Sequence, residues 1–136
     1  MRWFRIDRMR IIRNHEIAYA PASHEDPQDP GCLKKVFATK TDLLDGKVQM
    51  VNWSKLPVGK SFQPHYHEGM QEVFVLFSGT AKMTVEGQSF ELVGGDAIFI
   101  DPQEVHEMKN TGDEDVIYLV FGISQESGGK TVVVDT

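Results

Sequence analysis

No disulfide can form within this chain, because Cys32 is its only cysteine. That excludes a small secreted scaffold stapled by disulfides and leads us to expect a reducing, cytoplasmic setting. Long apolar runs are missing too. No stretch approaches the roughly 20 residues of a membrane span, and no compact apolar segment with a small-residue cleavage site follows the start. Neither a membrane partner nor a secretory signal is expected. Arginine is absent after residue 13: Arg2, Arg5, Arg8, Arg10 and Arg13 crowd the first segment against Asp7 alone, giving it about +4 and the remainder about −10 within a net charge of −6. An acidic body repels a polyanion, so no nucleic-acid partner is expected. The basic segment reads as an arm lying on its own body or on a partner subunit, and Asp7 and Glu16 speak against a transit peptide. Sustained 3.6-residue periodicity is lacking, and with it any helix-turn-helix pattern for DNA.

What is present is a chain of 136 residues, enough for one domain with its own core, at an ordinary 40% apolar and 25% charged. Residues 20–31, "APASHEDPQDPG", hold three of the six prolines and read as loop. After it come short runs rich in β-branched and aromatic residues: "CLKKVFATK", "KVQMVNW", "EVFVLF", "AKMTVEG", "SFELV", "DAIFI" and "DVIYLVFGI". Asp45-Gly46, Ser78-Gly79, Glu86-Gly87, Gly94-Gly95 and Thr111-Gly112-Asp113 punctuate them as turns. Many short strands at close spacing predict an all-β antiparallel sandwich or barrel, whose interior can hold one small ligand. We divide the chain into an N-terminal arm with edge strands and linker (1–44), a barrel (45–123), and a tail of one polar turn and one edge strand (124–136).

The stretch "PHYHEGMQE" carries the chemistry. On a strand, residues i and i+2 share a face, so His65 and His67 present two imidazoles side by side, about 6 to 7 Å apart. With "EGMQ" as a turn, the strand opening at Glu72 is expected to fold back antiparallel beside them and bring a carboxylate to the same face. His106, in "DPQEVHEMKN", offers a third nitrogen from another predicted strand. Three imidazoles and one carboxylate suit one divalent transition-metal ion (Fe, Mn, Ni, Zn, Co or Cu), with positions left for water, substrate or dioxygen. Glu68 is a rival carboxylate in the turn, and His15 and His24 are given no role.

These spacings resemble the cupin family. Gly59, five residues, His65, one residue, His67, four residues, Glu72, six residues and Gly79 reproduce its first motif without a gap. The second runs from Gly95 through His106 to Asn110, departing where Asp101 and Gln103 stand in place of the family's proline and glycine. The resemblance covers roughly residues 45–123. It implies a double-stranded β-helix (jelly-roll) barrel, a metal held inside by His65, His67, Glu72 and His106, and, as in related small cupins, a homodimer.

Alternation extends the inward faces to Phe74 and Leu76 from Glu72 and to Met108 from His106, with Met50, Asn52 and Tyr118 on neighbouring strands as further candidates for the cavity wall. No cluster of lysine or arginine is evident inside to grip a phosphate. The expected function is a metal-dependent enzyme of dioxygenase type acting on a small organic substrate. The alternatives are a metal-dependent isomerase, epimerase or decarboxylase, and a non-catalytic small-molecule binder or sensor. No general base is clear, Glu104 and Tyr118 being the candidates.

Overall fold

The computed structural model describes residues 4–6, 9–124 and 129–135, with backbone alone for 4–6. Its strands are β1 (Phe4–Ile6), β2 (Met9–Ile11), β3 (Ala20–Pro21), β4 (Leu33–Thr39), β5 (Val48–Leu56), β6 (His65–His67), β7 (Met70–Ser78), β8 (Thr80–Val85), β9 (Gln88–Val93), β10 (Ala97–Ile100), β11 (His106–Asn110), β12 (Val116–Ser124) and β13 (Thr131–Val133). A six-stranded sheet, in the order β10-β7-β12-β5-β4-β3, faces a five-stranded one, β13-β6-β11-β8-β9, and β1 and β2 pair apart as a hairpin. Every pairing is antiparallel. The architecture is a jelly-roll barrel. Among the described residues no helix is long and apolar enough to cross a membrane.

Strand alternation places the site. On β11, His106, Met108 and Asn110 are buried while Lys109 is exposed. One end of the barrel is closed by fully buried Leu56, Leu76, Met83, Met108 and Val116. There Leu56 stands opposite Val116 and Met108 opposite Met83. Turn chemistry secures that end. Gly79 has φ +90, and a Cβ there would come within 2.9 Å of the Val116 backbone, so glycine is required between β7 and β8. Asn110 donates to the Leu56 and Glu114 carbonyls (2.9 and 2.8 Å) and accepts from the Gly112 amide (2.9 Å), closing the turn into β12.

The structure corrects one expectation. β6 and β7 do not form a hairpin: β6 lies in the five-stranded sheet and β7 in the six-stranded one. Both edges of β6 are already taken, by β11 (His106 opposite His65) and by β13 (Thr131 opposite His67), so no edge is left for β7. Glu68 and Gly69 instead carry the chain from one sheet to the other, with Gly69 at φ +71.

Candidate metal centre and its cavity

The sheet change brings Glu72 to the histidines across the barrel interior rather than along one face. β6 presents His65 and His67 inward, β11 sets His106 beside His65, and β7 supplies Glu72 from the opposite wall. One ligand atom from each of the four lies within 4.8 Å of the others. His67 Nε2 is 2.8 Å and His106 Nε2 is 3.1 Å from the same Glu72 oxygen, Oε1. All four residues are buried.

Each imidazole is held from behind. His65 Nδ1 donates to the Gln63 carbonyl (2.6 Å), His106 Nδ1 donates to the Glu104 carbonyl (3.0 Å), and His67 Nδ1 meets the Thr131 hydroxyl (2.9 Å). Holding Nδ1 from behind turns the Nε2 of each ring toward the cluster, the nitrogen a metal ion would take. Burial, followed by the neighbouring His106 and His24, pulls the His65 pKa down to about 3, so that ring is neutral at physiological pH. For Glu72 burial pushes upward, but the hydrogen bond with His106 and the adjacent His67 imidazole outweigh it and bring the carboxyl to about 2. His67 Nε2, although 2.8 Å from Oε1, stands buried without a hydrogen-bond partner. Three inward-turned imidazoles, one carboxylate and an orphaned buried nitrogen fit a divalent transition ion.

Beside the cluster lies a cavity of about 310 Å³. Met50, Asn52, Phe74 and Tyr118 line it, as do His65, His67 and Glu72. Leu76 and Met108 do not; both are fully buried in the packed end, one pleat beyond Phe74 and His106 respectively. The sequence reading also missed several lining residues, among them His24, Cys32, Lys34, Ser54 and Phe62. His24 comes from the proline-rich loop and stacks on His65 with ring centroids 4.1 Å apart. Its loop is anchored by Glu25, which accepts from the Gly31 and Gln63 amides at 2.7 and 2.8 Å. Nothing in the spacing of that loop announces that it folds over the barrel.

Neither candidate base is placed to act. The Glu104 carboxylate accepts from the Asp101 amide at 2.8 Å in an exposed turn, and only its carbonyl serves the site. Tyr118 is wholly buried and hydrogen-bonded to Cys32 and Ser54; burial first, then Cys32, raises its pKa well above the ordinary phenol value. It keeps its proton at neutral pH.

The family model for the cupin domain matches residues 52–122. The chain belongs to the cupin family. An oxalate-binding protein of Thermotoga maritima is 31% identical over 89 residues, covering 65% of this cupin and 74% of that protein. A crystal structure described as a predicted oxalate decarboxylase, also from Thermotoga maritima, superposes with TM-score 0.75 at 27% identity, covering 84% of this chain and 98% of that one. The polyketide cyclase RemF of Streptomyces resistomycificus shares the fold at TM-score 0.74 and 16% identity, covering 93% and 87% of the two chains.

Proposed function

We propose that this cupin holds one divalent transition-metal ion through His65, His67, Glu72 and His106 and offers it to a small carboxylate-type ligand in the adjoining cavity. The observation that carries this reading is the fixing of all three Nδ1 atoms, which leaves three Nε2 atoms around one buried carboxylate. When bound, the ion supplies Lewis acidity to a coordinated oxygen, and redox chemistry as well if it is iron, manganese or another redox-active metal. The chain's own residues orient and shelter the ligand. Phe62, Phe74 and Met70 form apolar wall beside the cluster, and Asn52 and Ser54 offer hydrogen bonds. The names of the two Thermotoga relatives support a carboxylate as the ligand class. The lone, buried Cys32 thiol supports a cytoplasmic setting, and we further propose a homodimer.

A dioxygenase reading draws on a specific feature. Phe62, Phe74 and Met70 give the cluster an apolar wall, and neither Glu104 nor Tyr118 is placed as a base, which suits an organic substrate reacting with dioxygen at a redox ion. An isomerase, epimerase or decarboxylase would use the same ion as a Lewis acid without consuming oxygen.

Elemental analysis of purified protein tests the core of the proposal. One ion per chain is expected, falling to a small residue in His106→Ala with the fold intact by circular dichroism. Equal metal in both would sink the assignment. Oxygen uptake in the presence of small acids, phenols and diketones then separates the dioxygenase from the Lewis-acid reading.

A further inference from the structure

The cavity wall formed by the six-stranded sheet carries three cross-strand rows. Nearest the metal cluster stand Glu72, Gly122 and Met50. One pleat further along are Phe74, Val120, Asn52 and Val36. The next row is Leu76, Tyr118, Ser54 and Lys34. Each step is about 7 Å along the strands.

Two polar groups in these rows have nothing to bind. Asn52 is 8% exposed and lines the cavity, yet its Oδ1 is buried without a hydrogen-bond partner among the described residues. Such a group costs roughly 1–3 kcal/mol unless a ligand satisfies it. Lys34 also lines the cavity, half-buried, and among the described residues its ammonium makes no hydrogen bond or salt bridge. Burial lowers its pKa, with Cys32 opposing.

Among the described residues no free counter-charge lies at hand. Burial pushes the Cys32 thiol up to about 12, so it is neutral, as is Tyr118. The nearby Glu25 carboxylate is engaged by two backbone amides. Among the described lining residues Glu72 is the only carboxylate and Lys34 the only lysine or arginine. With a divalent ion in place, Glu72 and Lys34 leave the cavity about two positive charges in excess, which a dianion balances.

We propose that the cavity binds a short-chain dicarboxylate lengthwise, one carboxylate at the metal cluster and the other paired with Lys34, with Asn52 hydrogen-bonding the ligand between them. The inference rests on the metal-site reading above. The two-row step and the strands between β7 and β4, less the reach of the lysine side chain, favour a diacid longer than oxalate. Oxalate is too short to reach Lys34 and engages the ion alone.

The test is calorimetric titration of cobalt-loaded protein, with the cobalt absorption spectrum as a second readout. Succinate, glutarate and adipate are compared with butyrate, valerate and oxalate. The best diacid is expected to bind about 10- to 100-fold tighter than the monoacids. Lys34→Met and Lys34→Gln are expected to abolish that preference while cobalt stoichiometry stays unchanged and the affinities for oxalate and butyrate fall far less than that for the diacid. Asn52→Leu is expected to weaken the diacid about 5-fold. Wild-type protein that treats diacids and monoacids alike, or Lys34 variants that bind the diacid as wild type does, or that lose oxalate and diacid equally, would overturn the proposal and leave the metal site standing. Failure to take up cobalt, or a cobalt spectrum that no carboxylate perturbs, would overturn the metal-site reading and this inference with it.

Discussion

At the scale of single residues, two positions show how much of the centre depends on groups that brace His67 without being among the clustered residues. Gln103 sits at φ +72 in the turn before β11, and its amide donates to the His67 carbonyl at 2.9 Å. This is the position where the sequence departs from the family's glycine, and the backbone takes the left-handed conformation regardless. Gln103→Gly is therefore expected to stabilise the fold by about 0.5–1 kcal/mol, read as a rise in urea midpoint; a fall would show that the side chain carries a compensating contact. Thr131 braces His67, and Thr131→Val removes the partner of Nδ1 while keeping the volume. Metal affinity by chelator competition should drop about 10-fold with stability nearly unchanged, and an unaltered affinity would refute the bracing role. The four clustered residues were legible because strand alternation and motif spacing fix which way they point. Lys34 was not. In "CLKKVFATK" either Lys34 or Lys35 can face inward, and the register shift between Val36 and Ala38 breaks the alternation that would have decided it. Lys35 turns the other way, its Nζ 2.7 Å from Asn14 Oδ1.

At the scale of elements, the sequence announced most strands through their turns but not which sheet each joins. The link between β6 and β7 is short enough for a hairpin, and only the occupation of both β6 edges by distant β11 and β13 forbids it. Sheet membership here is a long-range property. So is the placement of loop 20–31, whose composition marks it as irregular without saying what it covers. Gly31 shows how tightly that loop is seated: a Cβ there would lie 1.8 Å from the Ser61 carbonyl oxygen and 2.6 Å from Glu25 Oε1. Gly31→Ala must displace the Glu25 anchor and with it His24. A loss of about 2–4 kcal/mol is expected in chemical denaturation, and a change under 0.5 kcal/mol would mean the loop yields freely. Acid acts on the assembled barrel through β6. The His65 pKa is about 3 in the folded chain against 6.5 for an ordinary imidazole, so the unfolded state takes up a proton first as pH falls. The stability that neutral His65 contributes is complete above pH 6.5 and drains away toward pH 3. Metal-free protein should lose a few kcal/mol between pH 7.5 and 4.5, with metal opposing the loss at the upper end. A flat profile for the metal-free protein would contradict the burial of that ring.

At the scale of the molecule, the six-stranded sheet has an outer face unlike that of a free-standing domain. An antiparallel sheet with one face on a core normally turns polar residues to solvent. Here Phe37, Trp53 and Phe77 stack in sequence, with ring centroids 6.1 and 5.0 Å apart, while Phe77 and Phe99 are 52% and 63% exposed. Register places Leu119 and Val75 between the Trp53 and Ala97 strands, so the apolar surface runs across β5, β12, β7 and β10 without a charged break in that row. Patches of this kind on a small domain mark an interface. The basic arm supplies a polar border: Arg10 donates to the Asp42 carbonyl at 2.9 Å, holding the β2 end of the hairpin near the start of β5. A twofold dimer that stacks this face on its copy covers the aromatic row, and because the contact is apolar it should persist at high salt, unlike an association driven by the arm. Light scattering is expected to give twice the chain mass in both low and high salt. Phe77→Glu combined with Phe99→Glu should yield a monomer that still binds one metal per chain, because both side chains point away from the cavity. A wild-type monomer would refute the dimer, and a double variant that stays dimeric would place the contact on another surface.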